Sequence, residues 1–163
     1  MIITNIHERV LTAQITEVGK LIDGLSSKDD KLWPHDRWPA MQFDRPLGIG
    51  AVGGHGPIRY IVESYQPGRS VRFRFTGPKG YIGTHRFEAE AMDGEKTRLR
   101  HIIEMRVQGI APRLGWHMAI RPLHDALIED ALDRAQAYTG GQPLKRDWSP
   151  WVKFIRLAMK KRG

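Results

Sequence analysis

Two histidines fall where a strand should bury an apolar side chain. In Gly83 to Met92, His85, Phe87, Ala89 and Ala91 alternate with Thr84, Arg86, Glu88 and Glu90. In Thr97 to Val107, Leu99, His101, Ile103, Met105 and Val107 oppose Arg98, Arg100, Glu104 and Arg106. An imidazole on an apolar face is either satisfied by a nearby hydroxyl or backbone group, or it serves a pocket. In a pocket it would orient a ligand carbonyl or hydroxyl, or exchange a proton near neutral pH. Whether the two rings share a face depends on the turn between the strands. A two-residue Asp93-Gly94 loop would put them on opposite faces. A three-residue loop, Asp93 to Glu95, pairs His85 with Ile103 and Phe87 with His101, and it aligns both apolar sets. The longer turn and two inward histidines are therefore expected.

Other candidate chemistry is weaker. Gly48-Ile49-Gly50-Ala51-Val52-Gly53 matches GxGxxG, but a dinucleotide site needs a helix opening on the third glycine. Gly54, Gly56 and Pro57 follow instead and would spoil its first turns, so a flexible connection at a sheet rim is expected. His117 and His124, with Asp125 nearby, lack the spacing of a metal motif, and solvated or capping histidines account for them. No metal and no cofactor is expected. No Ser/His/Asp arrangement can be argued from spacing, and with no cysteine there is no thiolate chemistry or disulfide framework.

The elements that must hold the two histidines are four strands in a row. Ile58 to Gln66 is β-rich and stops at Pro67-Gly68, and Ser70 to Thr76 sets Val71, Phe73 and Phe75 against Arg72 and Arg74. Gly77-Pro78-Lys79-Gly80 turns the chain into the strands of His85 and His101. Strict period-two alternation means an antiparallel sheet with one wet and one buried face. On the wet face, arginines interleave with Glu88, Glu90 and Glu104 as cross-strand ion pairs; a nucleic-acid sheet would want exposed aromatics there. Upstream, residues 2 to 13 read as a strand, Gln14 to Leu25 as a helix, Leu32 to Pro39 as a loop anchored by Trp33 and Trp38, and Met41 to Asp44 as a short strand. Downstream, Ala111-Pro112 opens a long helical pattern through Trp116, Ile120, Leu123 and Leu127, with a kink or a break expected at Pro122. Gly140-Gly141 ends it.

Length and charge bound the rest. A chain of 163 residues is one domain's worth. The net charge of +8 sits mostly in residues 140–163, where seven Lys/Arg face one Asp; the body is near balance, and no nucleic-acid partner is expected. Met1 to Glu8 lacks the layout of a signal peptide, and a cytoplasmic protein is expected. In the tail, Ser149-Pro150 makes a cap and first-turn pair for a short, basic, amphipathic helix. Its apolar residues cover too much of the circumference for a solvated helix. A groove on its own domain, a second subunit in a homodimer, and an anionic membrane surface contacted weakly through residues 149–162 all remain open.

The element order, together with Gly54-His55-Gly56-Pro57 leading into Ile58-Arg59-Tyr60, Tyr65-Gln66-Pro67-Gly68-Arg69-Ser70 and Arg121-Pro122-Leu123-His124, resembles the START-like superfamily. This group is also called Bet v 1-like or SRPBCC, and within it the chain looks like bacterial polyketide cyclase/dehydrase-type proteins. The resemblance spans residues 2 to about 139. It implies an α+β helix-grip fold over residues 1–139, a curved antiparallel sheet around a long C-terminal helix with an internal cavity, and leaves residues 140–163 as linker and basic helix. Its members share no catalytic motif, so no catalytic residue is carried over. The expected function is binding or transport of a lipid-, quinone- or polyketide-like molecule; a cyclase or dehydratase on the same scaffold, or a membrane- or partner-binding module using the tail, are the alternatives. The expected ligand-binding residues are Phe73, Phe75, His85, Phe87, His101, Ile103 and Met105 on the sheet. Trp116, Ile120, Leu123 and Leu127 face them from the helix, with Tyr60 fixing orientation and Trp38 in an entry loop.

Overall fold

The alternating stretches pair as one antiparallel sheet in the computed structural model, which describes residues 1–144 and 146–160, the last by its backbone alone. Lys145, Lys161 and Arg162 of the basic tail lie outside the described residues. In chain order the strands are β1 (Ile2–Leu11), β2 (Gln42–Phe43), β3 (Val52–His55), β4 (Ile58–Gln66), β5 (Ser70–Gly77), β6 (Tyr81–Ala91) and β7 (Thr97–Val107). Among the described residues they form a seven-stranded sheet in the order β1-β7-β6-β5-β4-β3-β2. Helix α1 (Ile15–Asp23) buries Val18, Leu21 and Ile22 at one end of the sheet. The C-terminal helical run lies across the inner face, and the arrangement is the expected α+β helix grip.

The decisive register is that of β6 and β7. His85 pairs with Ile103 and Phe87 with His101, and the Met92 amide donates to the Lys96 carbonyl at 2.9 Å across Asp93–Glu95. The three-residue turn is thus present, and both histidines face inward, 4% and 1% exposed. Two register shifts in β4, at Arg59/Tyr60 and Val62/Ser64, are bulges of the kind that bend a strand.

One expectation is revised, and another is narrowed to one of its two forms. The glycine-rich stretch is a connection only in part, because Val52–His55 enters the sheet as β3. A Cβ on Gly53 would meet the Gln42 carbonyl oxygen at 2.0 Å, and one on Gly54 the Ile58 oxygen at 2.0 Å. The glycines therefore let β2, β3 and β4 close up, rather than loosening the chain. The helical run is broken before Pro122 rather than bent at it. Helix α2 (Ile110–Gly115) passes through a π-helical turn, Trp116–Ile120, into α3 (Arg121–Tyr138). Pro122 has no N–H to donate back into that turn, so the wide turn ends where the proline begins.

The tail forms α4 (Pro150–Lys160) and rests on its own domain. Ser149 Oγ accepts the Val152 amide at 3.2 Å, an N-cap. Val152 is buried, and the Trp151 indole donates to the Met118 carbonyl at 2.7 Å. A hub on α3 holds this end together. The buried Asp130 accepts from Trp38 Nε1 at 2.7 Å, Trp148 Nε1 at 3.0 Å and Arg37 at 3.0 Å. Among the described residues no helix is long and apolar enough to cross a membrane.

Candidate functional site

Between the inner face of the sheet and the π-turn and α3 lies a cavity of about 130 Å³, room for roughly one aromatic ring. Strands β5 to β7 supply Phe75, His85, His101, Ile103 and Met105, and the helical run supplies Trp116, Ile120, Leu123 and Leu127. Trp38 comes from the entry loop. Tyr60, Phe73 and Phe87, expected on the same surface, stand behind it, each completely buried. Phe73 stacks on His85 at 4.7 Å between centroids, Tyr60 meets the same ring edge-on at 4.8 Å, and Phe87 meets His101 at 4.6 Å. They hold the imidazoles in place instead of facing the cavity. The inner face is one surface only in parity; α1 and the loop beneath it fill the end where Phe73 and Phe87 project.

The cavity also takes residues that the sequence reading left out. His55 and Ile58 come from the β3–β4 hairpin, and His124 and Ile128 from α3. Arg156 and Met159 come from α4, which makes the tail part of the wall. His124 had a usable signal: it lies four residues after Ile120 and three before Leu127, on the stripe already assigned to the core. It is neither solvated nor capping, as had been expected. His117 is the exposed one. Arg156 had none, since its place depends on the fold of α4 across the loop; its guanidinium lies over Trp38 at 4.4 Å and Trp148 at 5.3 Å.

The histidines form a row along the wall. His55 Nδ1 shares a hydrogen bond with Tyr60 Oη at 3.0 Å, and His85 Nδ1 with His101 Nε2 at 3.2 Å. His101 lies 4.9 Å from His124 between ring centroids, and His124 lies 5.8 Å from His7 on β1. Among the described residues, His85 Nε2, His101 Nδ1 and both nitrogens of His124 are buried without a hydrogen-bond partner. Burial, and then the neighbouring imidazoles, push His85 and His101 well below the ordinary histidine range. His55 falls to about 3 for the same reasons, with Arg59 adding to the effect. These rings are neutral at pH 7 and can each give or take one hydrogen bond. An apolar chamber with unpartnered neutral imidazoles can bind an oxygen function, and can move a proton to or from it.

The row ends in a charged cluster. On β1 the polar residues Asn5, His7 and Arg9 face inward between Ile3 and Leu11, while Ile2, Ile6 and Val10 face out and are exposed. His7 Nδ1 meets Glu129 at 2.8 Å and His7 Nε2 meets Asp125 at 3.0 Å. Arg9 reaches Glu129 and Asp133, each at 2.9 Å. Burial alone would lower the His7 pKa, but the hydrogen bonds to Asp125 and Glu129 outweigh it and raise it. His7, His124 and Asp125 also bring three ligand-type atoms within 4.8 Å of one another. The outer face is crossed by ion pairs such as Arg86–Glu88 at 2.9 Å and Arg100–Glu88 at 2.7 Å.

No protein-family model matches this chain, and no curated sequence does. Its likeness is to solved structures. Norcoclaurine synthase from Thalictrum flavum, a point mutant in complex with a transition-state analogue, superposes with a TM-score of 0.64 at 11% identity, over 85% of this chain and 94% of that one. The di-domain aromatase/cyclase StfQ of the steffimycin biosynthetic pathway gives 0.63 at 10% identity, over 86% of this chain and 51% of that longer one. Ara h 8.0201 gives 0.54 at 14% identity, over 86% and 97%. At these identities the likeness speaks for the fold alone, a helix grip of the Bet v 1-like kind.

Proposed function

We propose that this chain binds a hydrophobic small molecule carrying at least one oxygen function, with the apolar body between sheet and helix and the oxygen against His85 and His101. The observation that carries this is the pair of unpartnered nitrogens, His85 Nε2 and His101 Nδ1, buried in the wall of a cavity whose other lining is mostly apolar apart from His55, His124 and Arg156. A buried polar atom left unmet costs about 1–3 kcal/mol, and a ligand carbonyl, phenol or enol would meet it. Size limits the choice. Burying about 150 Å² of ring surface contributes roughly 4 kcal/mol gross at about 25 cal/mol per Å², much of it offset by the cost of association. A single-ring ligand would therefore bind weakly. A lipid-, quinone- or polyketide-sized one needs the α4 wall and the Trp33–Trp38 loop to move aside, so α4 acts in this reading as a closing strap on the 1–139 domain. The working location is the cytoplasm.

The second reading is a cyclase or dehydratase on the same scaffold. It is favoured by the neutral, hydrogen-bonded His85–His101 pair at 3.2 Å, a base already free of its proton at pH 7.

Native mass spectrometry of the protein as purified, followed by denaturing extraction, tests the binding reading. A co-purified apolar, oxygen-bearing molecule that is absent from a His85→Gln/His101→Gln variant supports it. A clean apo mass, together with no saturable binding of 2-naphthol followed by tryptophan fluorescence, sinks it. If a bound molecule is turned over, the same double variant separates the two readings: it abolishes turnover in an enzyme and only weakens retention in a carrier.

A further inference from the structure

The charged end of the histidine row contains something the binding reading does not use. His7 Nδ1 lies 2.8 Å from Glu129 Oε1, whose other oxygen is held by Arg9 at 2.9 Å. That contact makes Nδ1 the donor and turns the Nε2 lone pair of a neutral ring toward Asp125 Oδ1, 3.0 Å away. A lone pair and a carboxylate oxygen at that separation need a cation between them, either a proton or a metal ion. His124 decides which. Its Nδ1 is 3.7 Å from the same Asp125 oxygen, beyond hydrogen-bond range. Among the described residues neither of its nitrogens has a partner, although both are closed off from solvent. A proton shared by His7 and Asp125 leaves His124 unexplained. An ion coordinated by all three explains both.

We propose that His7 Nε2, His124 Nδ1 and Asp125 Oδ1 bind one divalent first-row transition-metal ion, with Zn²⁺ as the reference case. The separations of 3.0 and 3.7 Å bracket the roughly 3.3–3.5 Å expected between ligands on a tetrahedral ion with bonds of about 2.0–2.2 Å. Two imidazoles and one carboxylate, without thiolate, suit Zn²⁺, Co²⁺ or Fe²⁺ rather than Mg²⁺ or Ca²⁺. The outer partners of such a site are present as well. Glu129 orients His7 as a carboxylate behind a ligating histidine does, and Asn5 Nδ2 holds Asp125 Oδ1 at 3.0 Å. Three protein ligands leave a position for water. His124 is also part of the cavity wall, so the ion would be held one side chain away from whatever the cavity contains.

The test uses tag-free, chelator-stripped full-length protein titrated with Co²⁺, read by its visible ligand-field absorption, with Zn²⁺ as competitor. The expected result is a saturable band at one equivalent that Zn²⁺ abolishes. His124→Gln and His7→Gln should each weaken Co²⁺ binding at least 100-fold, and Glu129→Gln should weaken it 10- to 100-fold. The exposed His117→Gln and the double His85→Gln/His101→Gln variants should leave the stoichiometry at one. Far-UV circular dichroism checks each variant's fold. The proposal is overturned by wild-type protein that shows no saturable band, which no folding failure of a variant can mimic. It is also overturned by a band that survives in folded His124→Gln or disappears in His85→Gln/His101→Gln.

Discussion

His7 and His101 are cross-strand partners on β1 and β7, on one face of one sheet and beneath one helix. They nevertheless end in opposite states. His101 is surrounded by Phe87, His85 and His124, and burial holds it neutral. His7 is met by Asp125 and Glu129 within 3.0 Å and is raised. One strand of displacement changes the solvent from apolar side chains to carboxylates, and the protonation follows the solvent rather than the residue type. The sheet therefore carries two regions, a dry chamber that keeps imidazoles neutral and a clamp between β1 and α3 whose carboxylates favour the charged form of His7 when no ion is bound.

The same substitution should move the two regions in opposite directions. With a chelator present, so that no ion contributes, His7→Phe leaves Asp125 and Glu129 facing an apolar ring. It should cost about 3 kcal/mol, the scale seen when one partner of a partly desolvated pair is removed. Urea unfolding measures it, and a loss below about 0.5 kcal/mol would mean that the clamp is solvated and the comparison wrong. In the chamber, replacing both hydrogen-bonded rings together by His85→Phe/His101→Phe removes the unpartnered nitrogens along with their mutual bond. Removing both partners in favour of apolar groups is near neutral or stabilising. A gain of about 1 kcal/mol is expected, or about 2–4 °C in Tm for a chain of this size, with ligand retention lost.

These two substitutions also show what the sequence could carry. The neutral pair was legible, because His85 and His101 sat in unbroken period-two strands and the apolar sets on β6 and β7 align only with a three-residue turn. The clamp was not. On β1 parity does not choose a face: Ile2, Ile6 and Val10 are set against Ile3 and Leu11, and it is the first set that is exposed, while Asn5, His7 and Arg9 turn inward with the second. Their partners are on α3, at separations of 118 to 124 residues, and no local pattern encodes a pairing across the whole chain. His55 was hidden differently. Gly53 and Gly54 read as looseness until the sheet supplied the carbonyls that a Cβ would strike.

A pH titration sharpens the contrast without removing a residue of the chamber's core. His55 in the folded state titrates at about 3, pressed down by burial and by His124 and Arg59, and it shares its hydrogen bond with Tyr60. An unfolded histidine titrates near 6.5. With the folded value depressed, the unfolded chain takes up the proton first. Stability is therefore complete above pH 6.5 and declines below it, by about 1.4 kcal/mol per pH unit for each such group, until the folded value is reached. His85 adds to the same decline, its folded value also being depressed. His55→Gln should make the acid limb of the stability curve shallower by one proton, and an unchanged slope would show that the ring is already protonated or hydrated in the native state.

The last contrast concerns the wall that only the chamber has. The clamp is closed by strand and helix, but the chamber is partly closed by α4, whose Arg156 lies over Trp38 and Trp148 and donates to the Arg37 carbonyl. Cation–π contacts of this kind, half open to water, are worth about 0.5–1 kcal/mol each. Arg156→Ala should therefore cost no more than roughly 1–2 kcal/mol in α4 docking, too little to unfold the domain. It should nevertheless shorten the residence time of bound 2-naphthol several-fold, because in the proposed reading opening the strap is the step that lets a ligand leave. Lys153, exposed on the same helix, is the control: Lys153→Ala removes a charge from α4 without touching the tryptophans, and should leave the dissociation rate unchanged. If both variants behave alike, α4 contributes only its charge, and the chamber exchanges its contents by another route.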